Sequence, residues 1–111
     1  MLAGSDACGA VWEIPGYALH QEFDLLAEAG LSPLRILQMT TLNGAEFLGR
    51  TDTLGTVEVG KQADLVLLDA NPVEDVKHLH EVTGVVRAGR YYPAAALGDL
   101  KRRVASAKSA R

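Results

Sequence analysis

The reactive side chains of this chain are few: three histidines, one cysteine and a scatter of carboxylates. His78-Leu79-His80 has the spacing of a metal-binding pair, but two rings at i and i+2 share a face only on a strand. The simpler reading is two surface histidines among Glu74, Asp75, Lys77 and Glu81, with a weak adventitious metal site as the alternative. Cys8 as a nucleophile would need a histidine partner and a lowered pKa, so it reads as a small loop residue. Asp6, after Gly4-Ser5, is by itself a turn or cap residue. His20 opens a helix and by itself reads as a polar helix-start residue or a structural hydrogen bond. Trp12 reads as loop packing or as cover for a site mouth; Asp64 and Asp69 read as strand-end residues.

The elements that must position these residues follow from periodicity and punctuation. Residues 6–16 read as loop, broken by Gly9, Pro15 and Gly16. Leu19, Phe23, Leu26 and Ala27 recur at helical spacing, with Gln21, Asp24 and Glu28 off that face, which predicts a helix over 19–29 closed by Gly30. Ser32 caps a second helix with Pro33 in its first turn, running to about Thr41 and burying Leu34, Leu37 and Ile36. Asn43 and Glu46 have capping-box spacing for a short third helix ended by Gly49.

The pattern then changes to strands. Val57 and Val59 alternate with Thr56 and Glu58, which predicts a half-buried strand, and Gly60-Lys61-Gln62 turns the chain. Leu65-Val66-Leu67-Leu68 suits a strand buried on both faces, and Asn71-Pro72 breaks it. Residues 82–87 and Tyr91-Tyr92 flank Ala88-Gly89-Arg90, a hairpin signal. Pro93 opens a last helix with Leu97, Leu100, Val104 and Ala107 on one face. Helices, then three or four strands, then a helix make an α+β chain, and so small a sheet leaves edges and faces that call for partners.

Composition excludes whole classes. A hydrophobic fraction of 48% with 23% charged residues argues for a globular core over disorder. A net charge of -3 gives no electrostatic basis for binding nucleic acid or an anionic membrane. The basic last helix, with Lys101, Arg102, Arg103, Lys108 and Arg111, reads as a solvated face. No apolar run is long enough to span a bilayer. A single cysteine excludes an internal disulfide framework and fits a reducing, cytoplasmic location. The N-terminus is no signal peptide, and it starts abruptly inside an element, which raises an expectation of truncation.

Two segments carry a resemblance. The first is Ala3-Gly4-Ser5-Asp6 with, after a loop, residues 19–33 (Leu19-His20-Gln21-Glu22 through Gly30-Leu31-Ser32-Pro33). The second is Thr40-Thr41-Leu42-Asn43-Gly44-Ala45, Leu48-Gly49, and then Gly55 through Gly60-Lys61-Gln62-Ala63-Asp64-Leu65-Val66. Together they resemble the amidohydrolase superfamily, especially its imidazolonepropionase-like and Xaa-Pro dipeptidase-like members. Val85 to Tyr92 is similar to the family's closing hairpin, and Gly44 departs from a proline common among relatives.

The resemblance implies the last strand and helices of a (β/α)8 barrel over residues 1–50, β-sandwich strands over 51–92 and a C-terminal helix over 93–111. It implies hydrolysis of an amide, cyclic amide or dipeptide-like C–N bond in a small-molecule substrate by water activated on a divalent ion, commonly zinc. Asp6 would be the strand-eight aspartate that binds metal and moves the proton, and His20 would lie where a substrate contact is possible. His78 and His80 would fall in a connection of the small domain, away from the barrel mouth. The family's remaining ligands precede its strand-eight aspartate. The expectation is therefore that this chain alone neither retains metal nor turns over substrate. Two rivals are a non-catalytic module that self-associates through exposed apolar surface, and one half of a split hydrolase.

Overall fold

A computed structural model describes residues 1–7 and 14–109; Cys8, Gly9, Trp12 and Arg111 lie outside the described residues. The order is α1 (Tyr17–Glu28), α2 (Pro33–Thr40), α3 (Leu42–Phe47), β1 (Leu65–Leu68), a 3-10 helix (Val76–His80), β2 (Val82–Arg87), β3 (Arg90–Pro93) and α4 (Ala94–Ser109). The separation of helices from strands expected of an α+β chain is present. Residues 1–6 form no regular strand; the Ala3 N–H donates to the Met39 carbonyl at 3.2 Å and so ties the N-terminus to α2.

Local chemistry sets the helix ends. Gly30, with φ 91°, closes α1, where the Gly30 and Leu31 amides donate to the Ala27 and Leu26 carbonyls. Ser32 Oγ accepts from the Arg35 N–H at 3.4 Å, and Pro33 takes the first position of α2. At α3 the expected cap is wrong: Thr41 is the N-cap without a side-chain bond, and Asn43 Nδ2 donates to the Met1 carbonyl at 2.8 Å. A partner 42 residues away outcompetes the local box.

The helical core gathers Phe23, Ile36, Val76 and Leu79, with Leu19, Leu26, Leu31, Leu37 and Leu68 around them. Ile36 and Met39 are the fully buried side chains, whereas Leu34, expected inside, is 52% exposed. Gly55 seats the loop after α3: with φ 94°, a Cβ there would lie 2.7 Å from the Ala45 Cβ and 3.2 Å from the Leu42 Cα. Only glycine fits so close an approach.

The sheet has order β1-β2-β3, all antiparallel, with Leu65 opposite Val86, Val85 opposite Tyr92 and an irregularity between Leu67 and Leu68. Two expectations fail here. Val57 and Val59 are in no strand and are exposed, since no neighbouring strand among the described residues takes up their backbone groups. Leu65–Leu68 is an edge strand rather than one covered on both faces, and Val66 is 60% exposed. α4 packs on β2 and β3, but Leu100 and Val104 stay exposed, so its apolar face is only partly covered.

The β2–β3 hairpin turns through Ala88 (φ 49°) and Gly89 (φ 79°), as a two-residue turn matching strand twist requires. Asp64 clasps it: Oδ1 accepts from the Ala88 N–H at 2.5 Å, and the Ala63 carbonyl accepts from the Gly89 N–H at 3.0 Å. The Ala88 bond, with that from Gln62 Nε2, holds the Asp64 carboxyl below its usual pKa. An alanine in left-handed backbone costs about 1–2 kcal/mol. Ala88→Asn should therefore stabilise the chain by about 0.5–1 kcal/mol, read as a higher urea midpoint at unchanged slope. A lower midpoint would show that the turn does not need a left-handed former.

Candidate functional site

Asp6 lies in the N-terminal segment before α1 and is exposed. Its backbone is left-handed, φ 50°, one of two non-glycine residues with positive φ among those described. The Ser5 Oγ accepts from the Ala7 N–H at 3.3 Å, bracketing Asp6 in a short turn. Ser5 lines a small pocket with Ala18, Gln21 and Leu25, on the flank of α1.

His20 belongs to a different surface. It sits in the first turn of α1 and lines an open cleft of about 800 Å³ with Tyr17, Val66, His80, Leu97 and Lys101. The cleft wall is mostly aliphatic, drawn from α1, the sheet and α4. Asp6 is not among its lining residues. The two candidate residues are thus on separate surfaces among the described residues.

What the fold brings together instead is His20, Asp24 and His80. His20 and Asp24 are one helical turn apart on α1, and the 3-10 helix packs against that turn. His80 Nε2 lies 3.1 Å from both Asp24 carboxylate oxygens, a pairing across 56 residues. The His20 ring stands 5.2 Å from that of His80 and 5.6 Å, edge-on, from Phe23. Its Nδ1 is buried and has no hydrogen-bond partner among the described residues. Burial pushes the His20 pKa below its ordinary value, helped by the His80 and Lys101 charges and opposed by Asp24 and the Leu79 carbonyl.

His78 and His80 go separate ways. A 3-10 helix has three residues per turn, so i and i+2 point apart. His78 Nδ1 pairs with the Asn71 carbonyl at 2.8 Å, and that bond raises the His78 pKa, with Glu81, Asp75 and Glu74 adding to it. The strand geometry that a His-x-His metal pair needs is absent there. No group of three His, Cys, Asp or Glu among the described residues is arranged to hold a metal ion. Asp64, read as a strand-end residue, is the hairpin clasp, and the Asp69 N–H donates to the Glu81 carbonyl at 3.0 Å. The His20–Asp24–His80 contact was only half legible: the i, i+4 pair is in the sequence, but nothing local brings residue 80 to it.

The chain is 42% identical over 59 residues to a 5'-deoxyadenosine deaminase of Methanobrevibacter smithii, covering 53% of this chain and 14% of that protein. It is 35% identical over 63 residues to an imidazolonepropionase of Shouchella clausii, covering 54% of this chain and 14% of the relative. Among solved structures, a Xaa-Pro dipeptidase with methionine bound in its active site superposes with TM-score 0.63 at 34% identity, over 68% of this chain and 19% of that one. Phenylurea hydrolase B superposes with TM-score 0.62 at 40% identity, over 69% of this chain and 17% of that one. The chain thus spans between about a seventh and a fifth of the length of these relatives. The model of the amidohydrolase family matches residues 1–91, which takes in the Asp6 turn and runs into β3, and on that match this chain belongs to the amidohydrolase family.

Proposed function

We propose that this chain is the C-terminal portion of a metal-dependent hydrolase of C–N bonds, comprising the end of a barrel and strands of a small β-sandwich. In this reading Asp6 is the residue that takes a proton from the attacking water and returns it to the leaving group. The observation that carries the proposal is the family match, which begins at the first residue and so includes the Asp6 turn. The left-handed backbone at Asp6 supports it, because non-glycine residues at positive φ cluster at functional sites. A substrate contact from His20 is a finer part of the same reading, supported by its place on the cleft wall. The substrate class proposed is a small amide, cyclic amide or dipeptide-like molecule, in keeping with the names of the imidazolonepropionase and Xaa-Pro dipeptidase relatives.

A divalent ion such as zinc belongs to this proposal, but the described residues do not fit one by themselves. A catalytic zinc takes about three protein ligands, and no three candidate ligands here converge. No step is therefore derived through it. Purified and dialysed, the 111-residue chain is expected to carry far less than one zinc per molecule and to hydrolyse none of the proposed substrates. Tight equimolar zinc with turnover would overturn the reading. The same segment preceded by a reading frame encoding a His-x-His pair and two later histidines is expected to be active.

A second reading has its own observation. The β1 edge is open, and Val66, Val104 and Leu100 are exposed beside it and on α4, surface suited to pairing with another copy. Light scattering tests it, and a strict monomer across concentration removes it. No helix among the described residues is long and apolar enough to cross a membrane. The single cysteine, which suits a reducing compartment, is what supports a cytoplasmic location as part of the proposal.

A further inference from the structure

We propose that His20, Asp24 and His80 form an acid-released latch that joins α1 to the 3-10 helix ahead of β2. The geometry is specific. The Asp24 carboxylate holds His80 through both oxygens at 3.1 Å, and the His20 ring packs on His80 at 5.2 Å. The His20 ring also meets Phe23, a member of the helical core, edge-on at 5.6 Å, and the 3-10 helix contributes Val76 and Leu79 to that core. The polar contact thus sits over the seam where the two halves of the core meet. It is the sole side chain–side chain hydrogen bond between α1 and the 3-10 helix among the described residues.

The charged and titratable groups around His20 can be named element by element. α1 supplies Asp24, the 3-10 helix supplies His80 and the Leu79 carbonyl, and α4 supplies Lys101. The sheet presents Val66, Val82 and Val85, which solvate no charge. A neutral His20 suits this setting. A proton on His20 adds a cation beside His80 and Lys101, with one carboxylate already engaged and the Nδ1 atom buried.

Because the folded His20 pKa is lowered from 6.5, the unfolded chain binds a proton more readily than the folded one as pH drops through that value. The stability that neutral His20 contributes is complete above about pH 6.5 and is lost as pH falls toward its lowered folded value. His78 works the other way. Its raised pKa contributes stability below 6.5 that is lost as pH rises through the raised value, and solvent screens it at the surface.

The test is hydrogen exchange on the 111-residue chain between pH 7.5 and 5.5, with rates corrected for intrinsic pH dependence and with His78→Gln as background. Amides of α1 and of residues 76–80 are expected to lose protection together on acidification. The loss should reach at most about 100-fold, the limit for one linked proton over two pH units. His20→Gln should flatten the profile, while His80→Gln should loosen both segments already at pH 7.5. If His20→Gln does not fold, the imidazole titration of His20 in the unsubstituted chain decides, and a midpoint at or above 6.5 overturns the latch. Protection of α1 that is independent of pH, or an acid-induced loss that persists in His20→Gln, overturns it as well.

Discussion

Asp6→Asn, made in an intact hydrolase that carries this segment, is expected to reduce kcat/KM by about 10²–10⁴-fold with little change in melting temperature. Both halves of that expectation have a physical basis. Asparagine keeps the size and polarity of the side chain but can neither accept a proton nor carry the negative charge. The backbone at position 6 is left-handed at φ 50°, and asparagine is as well suited to that region as aspartate. The residue is exposed, so no buried partner is left unpaired. A folding defect and a chemical defect therefore separate, which Asp6→Ala would not allow, since alanine strains the same turn. Turnover that survives Asp6→Asn unchanged would remove Asp6 from the reaction, whatever the family membership of the chain.

Ile36→Ala is the second large effect, and it is one of stability. Ile36 is 0% exposed and lies at the centre of the cluster formed with Phe23, Val76 and Leu79. Truncating a fully buried isoleucine costs about 2–5 kcal/mol, from lost transfer energy and from the cavity left behind. Domains of this size hold only about 5–15 kcal/mol in all. The substitution is therefore expected to leave a substantial part of the chain unfolded at 37 °C, seen as a large drop in the urea midpoint. Leu34→Ala, two residues earlier on the same helix but 52% exposed, should cost less than about 1 kcal/mol. Equal costs at the two positions would mean that α2 packs by another face.

That pair shows where sequence reading stops. The rhythm of α2 marks Leu34, Leu37 and Ile36 as apolar candidates, but it does not rank them, because ranking depends on what lies opposite. The opposing groups are Phe23, 13 positions before Ile36, and Val76 and Leu79, some 40 positions after it. The same holds for Asn43, whose spacing to Glu46 promised a capping box and whose side chain instead satisfies the Met1 carbonyl. Val57 and Val59 alternate as a strand would, yet alternation supplies only the side-chain half of a strand. The backbone half needs a neighbour, and none is present among the described residues.

What the residues determined alone is the short-range structure. Ser32 with Pro33 starts α2, Gly30 and Gly49 end helices with left-handed backbone, and Ala88-Gly89 turns a hairpin, because each depends on φ preferences and hydrogen bonds within a few positions. The family string around Gly60-Lys61-Gln62-Ala63-Asp64 was equally visible, though the part Asp64 plays as the hairpin clasp was not. Tertiary structure alone decided which apolar residues leave water, how His78 and His80 part company, and that His80 meets Asp24 and His20. Those outcomes rest on contacts between residues tens of positions apart, and burial and charge pairing act through space rather than along the chain.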